Sequence, residues 1–168
     1  MKTPIMKILC AVAALILATR LTSYAYETTG QSVTKINDNY ALFTIDYTFG
    51  FLNREAYVPI AASRGKSANK SDLEYEILGK DGHTVTNAGI VTALVLSRTK
   101  IKNDKYYLGQ GDTGTFTLVG LMRLDGASGN NPALKITDIP LILVKNKRTT
   151  LTTFPAASFV NYRTEPLK

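Results

Sequence analysis

The feature that most restricts the fold of this chain is a strict alternation of apolar and polar residues. Between Tyr40 and Phe51 one parity is wholly apolar and the other is mostly polar; the apolar set is Ala41, Phe43, Ile45, Tyr47, Phe49 and Phe51. Successive side chains of a β-strand point to opposite faces, so this period of two predicts a long strand with one buried face. Helical periodicity is not evident after Tyr26. The chain is therefore predicted to be all-β.

Further segments of the same kind follow, separated by turns rich in Gly, Pro, Asn and Asp. We predict strands at residues 56–61, 73–78, 88–97, 106–108, 113–124 and 151–159, and over residues 133–144 either one strand bent near Pro140 or two strands. Residues 40–51 and 56–61 are expected to form a hairpin, and residues 62–71 a polar loop. Residues 88–97 are apolar on both parities and also fit a buried helix, but their β-branched residues favour a central strand. A total of about 7–9 strands is typical of an antiparallel β-sandwich.

The stretch from Lys105 to Val119 (KYYLGQGDTGTFTLV) combines a strand, a Gly/Asp turn and a strand in which Thr and Phe alternate. It resembles the late hairpins of immunoglobulin-like and fibronectin-type modules. The resemblance implies an immunoglobulin-like sandwich. Immunoglobulin domains carry a Cys pair and a core Trp, and residues 26–168 contain neither, so no functional residue is transferred from those modules.

The first 25 residues have the three parts of a secretory signal peptide. Lys2 and Lys7 form a basic start, residues 8–18 (ILCAVAALILA) are uncharged and apolar, and Ser23 and Ala25 are small residues at a cleavage position. We predict a signal-peptide helix over residues 1–25, cleavage before Tyr26, and a single sandwich domain over residues 26–168. A membrane anchor is the alternative, but a spanning helix needs about 20 apolar residues and Arg20 interrupts this run. The expected location is outside the cytoplasm, in the periplasm or at the cell surface, with no membrane span after cleavage.

The sequence is poor in residues that carry catalysis. It has one Cys and one His, and Cys10 lies in the leader, which excludes disulfides and thiolate metal sites from residues 26–168. His83 follows Asp81-Gly82, where a solvated turn residue is expected. Asn37-Asp38-Asn39 and Gln110-Gly111-Asp112 offer oxygen ligands for Ca²⁺, but ordinary Asx turns are favoured. We predict a protein without enzymatic activity or cofactor.

A net charge of +7 draws attention to basic residues in the predicted loops. They form three groups that would make a positive patch for an anionic polysaccharide, lipid headgroups or nucleic acid if they met at one end of the fold. Aromatic residues do not interleave with them in the sequence, which favours solvated loops and makes nucleic acid an unfavourable partner. The groups are Arg64, Lys66 and Lys70; Lys100, Lys102 and Lys105; and Lys145, Lys147 and Arg148.

These observations predict an exported, non-enzymatic β-sandwich that acts as a binding or structural module, with a protein or surface polymer as its partner. One alternative is a subunit of a surface filament or adhesin, in which residues 26–36 donate a strand to a neighbouring copy; the first strand of the chain's own sheet is favoured for this segment. A second is a glycan hydrolase that uses Glu74 and Glu76, which share a strand face about 7 Å apart. Solvent-facing charge is the favoured interpretation of these two glutamates.

Overall fold

The computed structural model describes residues 24–51, 53–66, 70–85, 89–124, 131–155 and 162–167. Over these residues the chain is all-β, with eleven strands and no helix. The predicted signal-peptide helix lies outside the described residues, except that the first strand begins at Tyr24. The strands are β1 (Tyr24–Asn37), β2 (Tyr40–Phe51), β3 (Glu55–Pro59), β4 (Ala62–Arg64), β5 (Leu73–Leu78), β6 (Gly89–Ser97), β7 (Ile101–Lys102), β8 (Lys105–Leu108), β9 (Thr113–Arg123), β10 (Ala133–Lys145) and β11 (Arg148–Pro155).

The four-stranded sheet is built around the alternating segment that the sequence singles out. Its order is β1-β2-β9-β6, and every neighbouring pair is antiparallel. The apolar parity of β2 is fully buried, as predicted, because it forms the inner face of this sheet. Residues 26–36 belong to β1 and pair with β2, which confirms the favoured prediction that they form the first strand of the chain's own sheet.

The seven-stranded sheet is organised by the long strand β10. Its order is β4-β5-β10-β3-β8-β7, and β11 is attached to β10. Asp138 pairs with Glu74 of β5 and with Pro155 of β11, and Leu143 pairs with Ala56 of β3 and with Thr150 of β11. β5 and β3 therefore occupy successive parts of one edge of β10, while β11 occupies the other edge.

The two sheets face each other across one apolar core, which makes the fold sandwich-like. Phe49 of β2 contacts Phe154 of β11 with ring centroids 5.7 Å apart, and Phe116 of β9 lies 5.7 Å from Tyr106 of β8. Buried aromatic and aliphatic residues from both sheets belong to one continuous cluster. Each buried residue of this size contributes about 1.5–3 kcal/mol, so a core of this kind stabilises the fold without disulfides.

The edges of the two sheets differ in how they are protected. The edge of β6 is bridged to the seven-stranded sheet, where the Val95 amide donates to the Ile60 carbonyl at 2.9 Å and Ala61 pairs with Leu94. β1 carries register shifts at both ends of its 30–35 segment, and that segment includes Lys35. β4 and β7 have only three and two residues. Bulges, an edge lysine and short strands are common protections against unwanted pairing.

Several predicted connections were wrong, since a short link between two strands can cross from one sheet to the other. β2 and β3 do not form a hairpin, because β2 lies in the four-stranded sheet and β3 pairs with β10 and β8. β8 and β9, which resemble a late hairpin, also lie in different sheets. Part of the predicted loop at residues 62–71 forms β4, which is parallel to β5. β6 is a strand, but at the edge of its sheet. The eleven strands exceed the predicted 7–9.

Candidate functional site

The predicted basic residues lie at three separate places. Arg64, Lys66 and Lys70 are in or near β4, whereas Lys100, Lys102 and Lys105 are in or beside the β7–β8 hairpin at the opposite end of the sheet order. The Arg64 guanidinium donates to the backbone carbonyl of Val85. The third group, Lys145, Lys147 and Arg148, is at the β10–β11 turn. The nine residues therefore do not form a single patch.

The third group meets a further cation that the sequence did not point to. Arg54 lies in the short link before β3, which pairs with the end of β10, and it lines a cleft of about 610 Å³ together with two of the predicted basic residues. We call this the basic cleft. Its lining residues are Arg54, Leu143, Lys145, Asn146, Arg148 and Thr150.

A row of apolar side chains crosses the outer face of the seven-stranded sheet. Leu151 of β11 pairs with Ile142 of β10, Ile142 pairs with Tyr57 of β3, and Tyr57 pairs with Tyr107 of β8. The chain neighbours of Ile142, Tyr57 and Tyr107 are buried, so these three side chains point away from the core. We call the four residues the tyrosine row. It spans four strands, or roughly 14 Å at the usual spacing of about 4.8 Å between strands.

The two tyrosines give the row an aromatic end with a charged border. Their ring centroids are 5.3 Å apart, and the Lys102 ammonium lies 4.6 Å from the centroid of the Tyr107 ring. Loss of solvent contact and the neighbouring, hydrogen-bonded Glu55 carboxylate raise the pKa of the Tyr107 hydroxyl, while Lys102 acts in the opposite direction. The arrangement is an exposed cation–π pair beside a half-buried tyrosine pair.

At this place a base and an aromatic residue meet across the β7–β8 hairpin, although aromatic residues do not interleave with the bases along the sequence. Tyr106 and Tyr107 are consecutive in a strand, so one of them must face outward. Tyr57 lies between Ala56 and Val58. Because Val58 is predicted to face inward, its neighbour Tyr57 is predicted to face outward. The sequence therefore contained the signal for two outward tyrosines, but it did not show that β3 and β8 are neighbours.

The two glutamates of the hydrolase hypothesis lie on the same sheet, as expected, but have different cross-strand neighbours. Glu76 pairs with Lys135, and Glu74 pairs with Asp138. Partial burial, together with the charge and hydrogen bond of Glu74, raises the pKa of Asp138, and Lys66 acts in the opposite direction. The carboxyl group adjacent to Glu74 across the sheet is thus Asp138.

The remaining polar candidates form turns. The Asn37 side-chain oxygen accepts from the amides of Asn39 and Tyr40, each at 2.9 Å, and Asp38 forms an ion pair with Lys35 at 2.7 Å. Asp112 accepts from the Gly109 amide at 2.9 Å, and Asp81 from the His83 amide at 3.0 Å. The contacts of Asn37 and Asp81 reach the amide two residues on and are Asx turns, whereas the Asp112 carboxylate accepts from an amide three residues earlier. Among the described residues, no group of three or more His, Cys, Asp or Glu side chains is arranged to hold a metal ion.

A second cleft lies at one end of the four-stranded sheet, between the end of β6 and the start of β9. It has a volume of about 740 Å³ and is lined mainly by hydroxyl side chains, with Arg98 and Asp112 at its border. Four of its hydroxyls have partners within the protein. Ser97 bonds to the Thr115 carbonyl at 2.7 Å and to the Thr99 hydroxyl at 2.8 Å, Thr115 bonds to the Thr48 hydroxyl at 3.2 Å, and Thr117 donates to Asp46 at 2.5 Å. This cleft has no aromatic residue in its lining.

Comparison with protein-family models, with curated proteins and with solved structures finds no match. Within the described part of the chain, no helix has the length and apolar character needed to cross a membrane. The function is therefore inferred from the geometry of this chain alone.

Proposed function

We propose that this chain is an exported, non-enzymatic binding module, and that its ligand is a polysaccharide that carries carboxylate or sulfate groups. The observation that supports this most strongly is the tyrosine row with the Lys102 ammonium against the Tyr107 ring at one of its ends. Tyrosine rings and aliphatic side chains on a sheet face offer a flat apolar surface to the C–H face of a sugar ring, and their limited flexibility keeps the entropic cost of binding low.

The positions of the cations support an anionic ligand. Lys102 and Lys105 lie in the β7–β8 hairpin beside Tyr107, at one end of the row. Arg54 and Lys145 lie three residues from Tyr57 and Ile142, and this odd separation turns them toward the other face of the sheet, where they line the basic cleft. They form a second group of cations, separate from the tyrosine row. Glu55 shares this face with Tyr57 and is hydrogen-bonded to the Tyr107 hydroxyl, while Glu74 and Glu76 lie farther along the same face on β5.

A nucleic acid fits this surface less well than a charged polysaccharide does. A protein that binds nucleic acid through its backbone can make about 6–10 phosphate contacts. Of the described cations only Lys102 and Lys105 border the row, and the others stand in separate groups. A polysaccharide with one acidic group on some of its sugar rings requires fewer charge contacts and uses the apolar surface between them.

The proposal is tested by affinity electrophoresis through gels that contain hyaluronan, with neutral dextran as the control polymer. The purified chain is expected to be retarded by hyaluronan, and the double variant Tyr57→Ala/Tyr107→Ala to bind about tenfold more weakly, a loss of ~1.4 kcal/mol. Tyr40→Ala is the matched control, because Tyr40 is also a half-buried strand tyrosine but belongs to the four-stranded sheet. Equal retardation by dextran, an equal effect of Tyr40→Ala, or tighter binding to single-stranded DNA would contradict the proposal.

The basic cleft is tested separately with Arg148→Gln, which we expect to weaken retardation by hyaluronan several-fold. Arg163→Gln is its control, since Arg163 is exposed but lies near the start of β10, where it pairs with Lys135. The effect of Arg148→Gln is expected to shrink as salt is added, because screening weakens exposed charge contacts.

Export and the finer fold type are part of the same proposal. A leader that ends near Ala25 supports export, and N-terminal sequencing of protein recovered outside the cytoplasm should find Tyr26 first. We also propose that the sandwich is an enlarged relative of the immunoglobulin-like or fibronectin-type arrangement, supported by two packed sheets and by short links that cross between them. A strand order of four plus seven makes it larger than the seven-stranded form.

A further inference from the structure

β11 differs from the other strand edges of this fold. It is eight residues long, and its pairing with β10 runs from Arg148 to Pro155 without a register shift. Within the described ranges β11 pairs only with β10, so its second edge has no strand beside it. In the part of the chain that the structure describes, β11 carries no bulge and no bridge to the other sheet, and its cation Arg148 and its proline Pro155 stand at its two ends, away from the centre of the strand.

The sequence of β11 is complementary to itself. Thr149-Thr150-Leu151-Thr152-Thr153 reads the same in both directions and carries no charge. When two copies of this segment pair antiparallel about Leu151, each threonine lies opposite a threonine and Leu151 lies opposite Leu151. Cross-strand threonine pairs and apolar pairs are favourable, and no like charges oppose each other.

The exposure of Leu151 fits this arrangement. Its side chain is 49% exposed, although it belongs to an apolar row and stands in the middle of a strand. Antiparallel pairing about a two-fold axis keeps the outer faces of both sheets on the same side, so the two Leu151 side chains would cover each other. The tyrosine row would then continue across the axis, from Tyr107 of one copy to Tyr107 of the other.

We propose that two copies of this chain form a dimer by antiparallel pairing of their β11 edges, centred on Leu151. The backbone groups of the two edges supply the hydrogen bonds, and the threonine and leucine pairs set the register. This pairing does not depend on the ligand of the tyrosine row. An interface of one strand from each copy is small, so we expect a dissociation constant in the micromolar range or weaker.

The experiment is sedimentation velocity of the purified full chain over a series of concentrations. The wild-type chain should shift from monomer to dimer as its concentration rises, and Leu151→Lys should remain monomeric because it places two ammonium groups opposite each other. Leu96→Lys is the matched control: Leu96 is 50% exposed and is also a strand leucine, but it lies on β6. It should dimerise like the wild type.

A mixture of charge variants tests the register itself. Leu151→Lys and Leu151→Glu should each be monomeric alone and should associate with each other when mixed, because opposite charges then face each other at the axis. A wild-type chain that stays monomeric into the millimolar range would overturn the proposal, as would equal loss of the dimer in Leu96→Lys or no association in the mixture. Tyr57→Ala/Tyr107→Ala should leave the dimer intact, which separates this outcome from a failure of polysaccharide binding.

Discussion

At the scale of single residues, the hydroxyl of Tyr47 is the most unusual polar group in the core. Tyr47 is fully buried among Phe49, Phe116 and Tyr162, with ring centroids 5.6–6.3 Å away, and among the described residues its hydroxyl has no hydrogen-bond partner. Burial raises the pKa of this hydroxyl well above its ordinary value. A buried polar group without a partner loses its hydrogen bonds to water and forms none in the protein, which destabilises the folded state.

We therefore expect Tyr47→Phe to raise the free energy of unfolding by about 1 kcal/mol. Tyr106→Phe is the control, since the Tyr106 hydroxyl donates to the Val95 carbonyl at 3.0 Å and accepts from the Ser97 amide at 3.1 Å. This variant should lower the free energy of unfolding by about 1–2 kcal/mol. Urea denaturation measures both, and the interpretation of Tyr47 fails if the two variants destabilise the protein equally.

Asp138 makes the stability of the fold depend on pH. Burial and Glu74 raise its pKa in the folded chain above the ordinary value of 3.8, so the folded state holds the proton more tightly than the unfolded state. The free energy of unfolding should therefore fall as the pH rises from about 3.8 through the raised pKa. Asp138→Asn removes this loss and should raise stability at pH 7 by up to about 1 kcal/mol, with the difference vanishing at low pH.

Glu76→Gln is the control for this effect, because Glu76 pairs across the sheet with Lys135 and not with another carboxyl group. Glu76→Gln should not raise the free energy of unfolding at pH 7. Thermal unfolding of both variants at pH 3 and pH 7 measures the difference, and a gain for Asp138→Asn that is equally large at pH 3 would contradict the assigned cause.

At the scale of elements, the β10–β11 turn contains a residue in an unfavourable conformation. Asn146 and Lys147 both have positive φ, at 50° and 63°, which is the pattern of a type I′ turn. Asn tolerates this region, whereas lysine pays a steric cost of about 1 kcal/mol. The turn joins Lys145 to Arg148, and both residues line the basic cleft.

We expect Lys147→Gly to stabilise the chain by about 0.5–1 kcal/mol, because glycine adopts positive φ without this cost. Lys145→Gly removes the same side chain from an adjacent strand position and should destabilise the chain. Differential scanning calorimetry compares the two melting temperatures. A lower melting temperature for Lys147→Gly would show that the lysine side chain contributes more than its backbone conformation costs.

Strand positions could be predicted from the sequence far better than strand partners could. β2 was predicted at its observed bounds, and β5 likewise, because alternation fixes which side chains face inward. Alternation does not say which strand lies beside which. The hairpin expected between β2 and β3 was therefore wrong, although both strands exist.

The candidate site could not be predicted in full, because it depends on which strands are neighbours. Its basic residues other than Arg54 stand in predicted loops and could be named in advance, but the tyrosine row draws one residue from each of four strands. Leu151 and Tyr57 are far apart in the sequence and meet through Ile142 only because β10 lies between β3 and β11. Without that register, Tyr57 and Tyr107 are two unrelated strand tyrosines.

At the scale of the whole molecule, the two sheets share one core, and Phe49 is the residue that best reports on it. Its ring lies 5.7–6.3 Å from Tyr47, Phe51 and Phe116 in the four-stranded sheet and from Phe154 in the other sheet. Removing it opens a cavity between the sheets. We expect Phe49→Ala to lower the free energy of unfolding by about 3–5 kcal/mol.

The destabilisation caused by Phe49→Ala should affect both sheets together. Far-UV circular dichroism and the fluorescence of the nine tyrosines should report the same unfolding midpoint, since the chain has no tryptophan and a shared core unfolds cooperatively. Ile101→Ala, at a residue that is 58% exposed, should change stability by less than about 0.5 kcal/mol. Two separate transitions in Phe49→Ala would indicate that the sheets fold independently.

The unequal protection of the sheet edges has a consequence for how large an assembly can become. A fibre forms when every subunit carries two different and mutually complementary surfaces, one that binds the preceding subunit and one that binds the next. Among the described strands β11 is the one long edge without a bulge or a bridge, and a contact that pairs this edge with its own copy uses that edge in both subunits. Self-association through β11 is therefore closed at two subunits, which protects an edge strand rich in threonine from growth into aggregates.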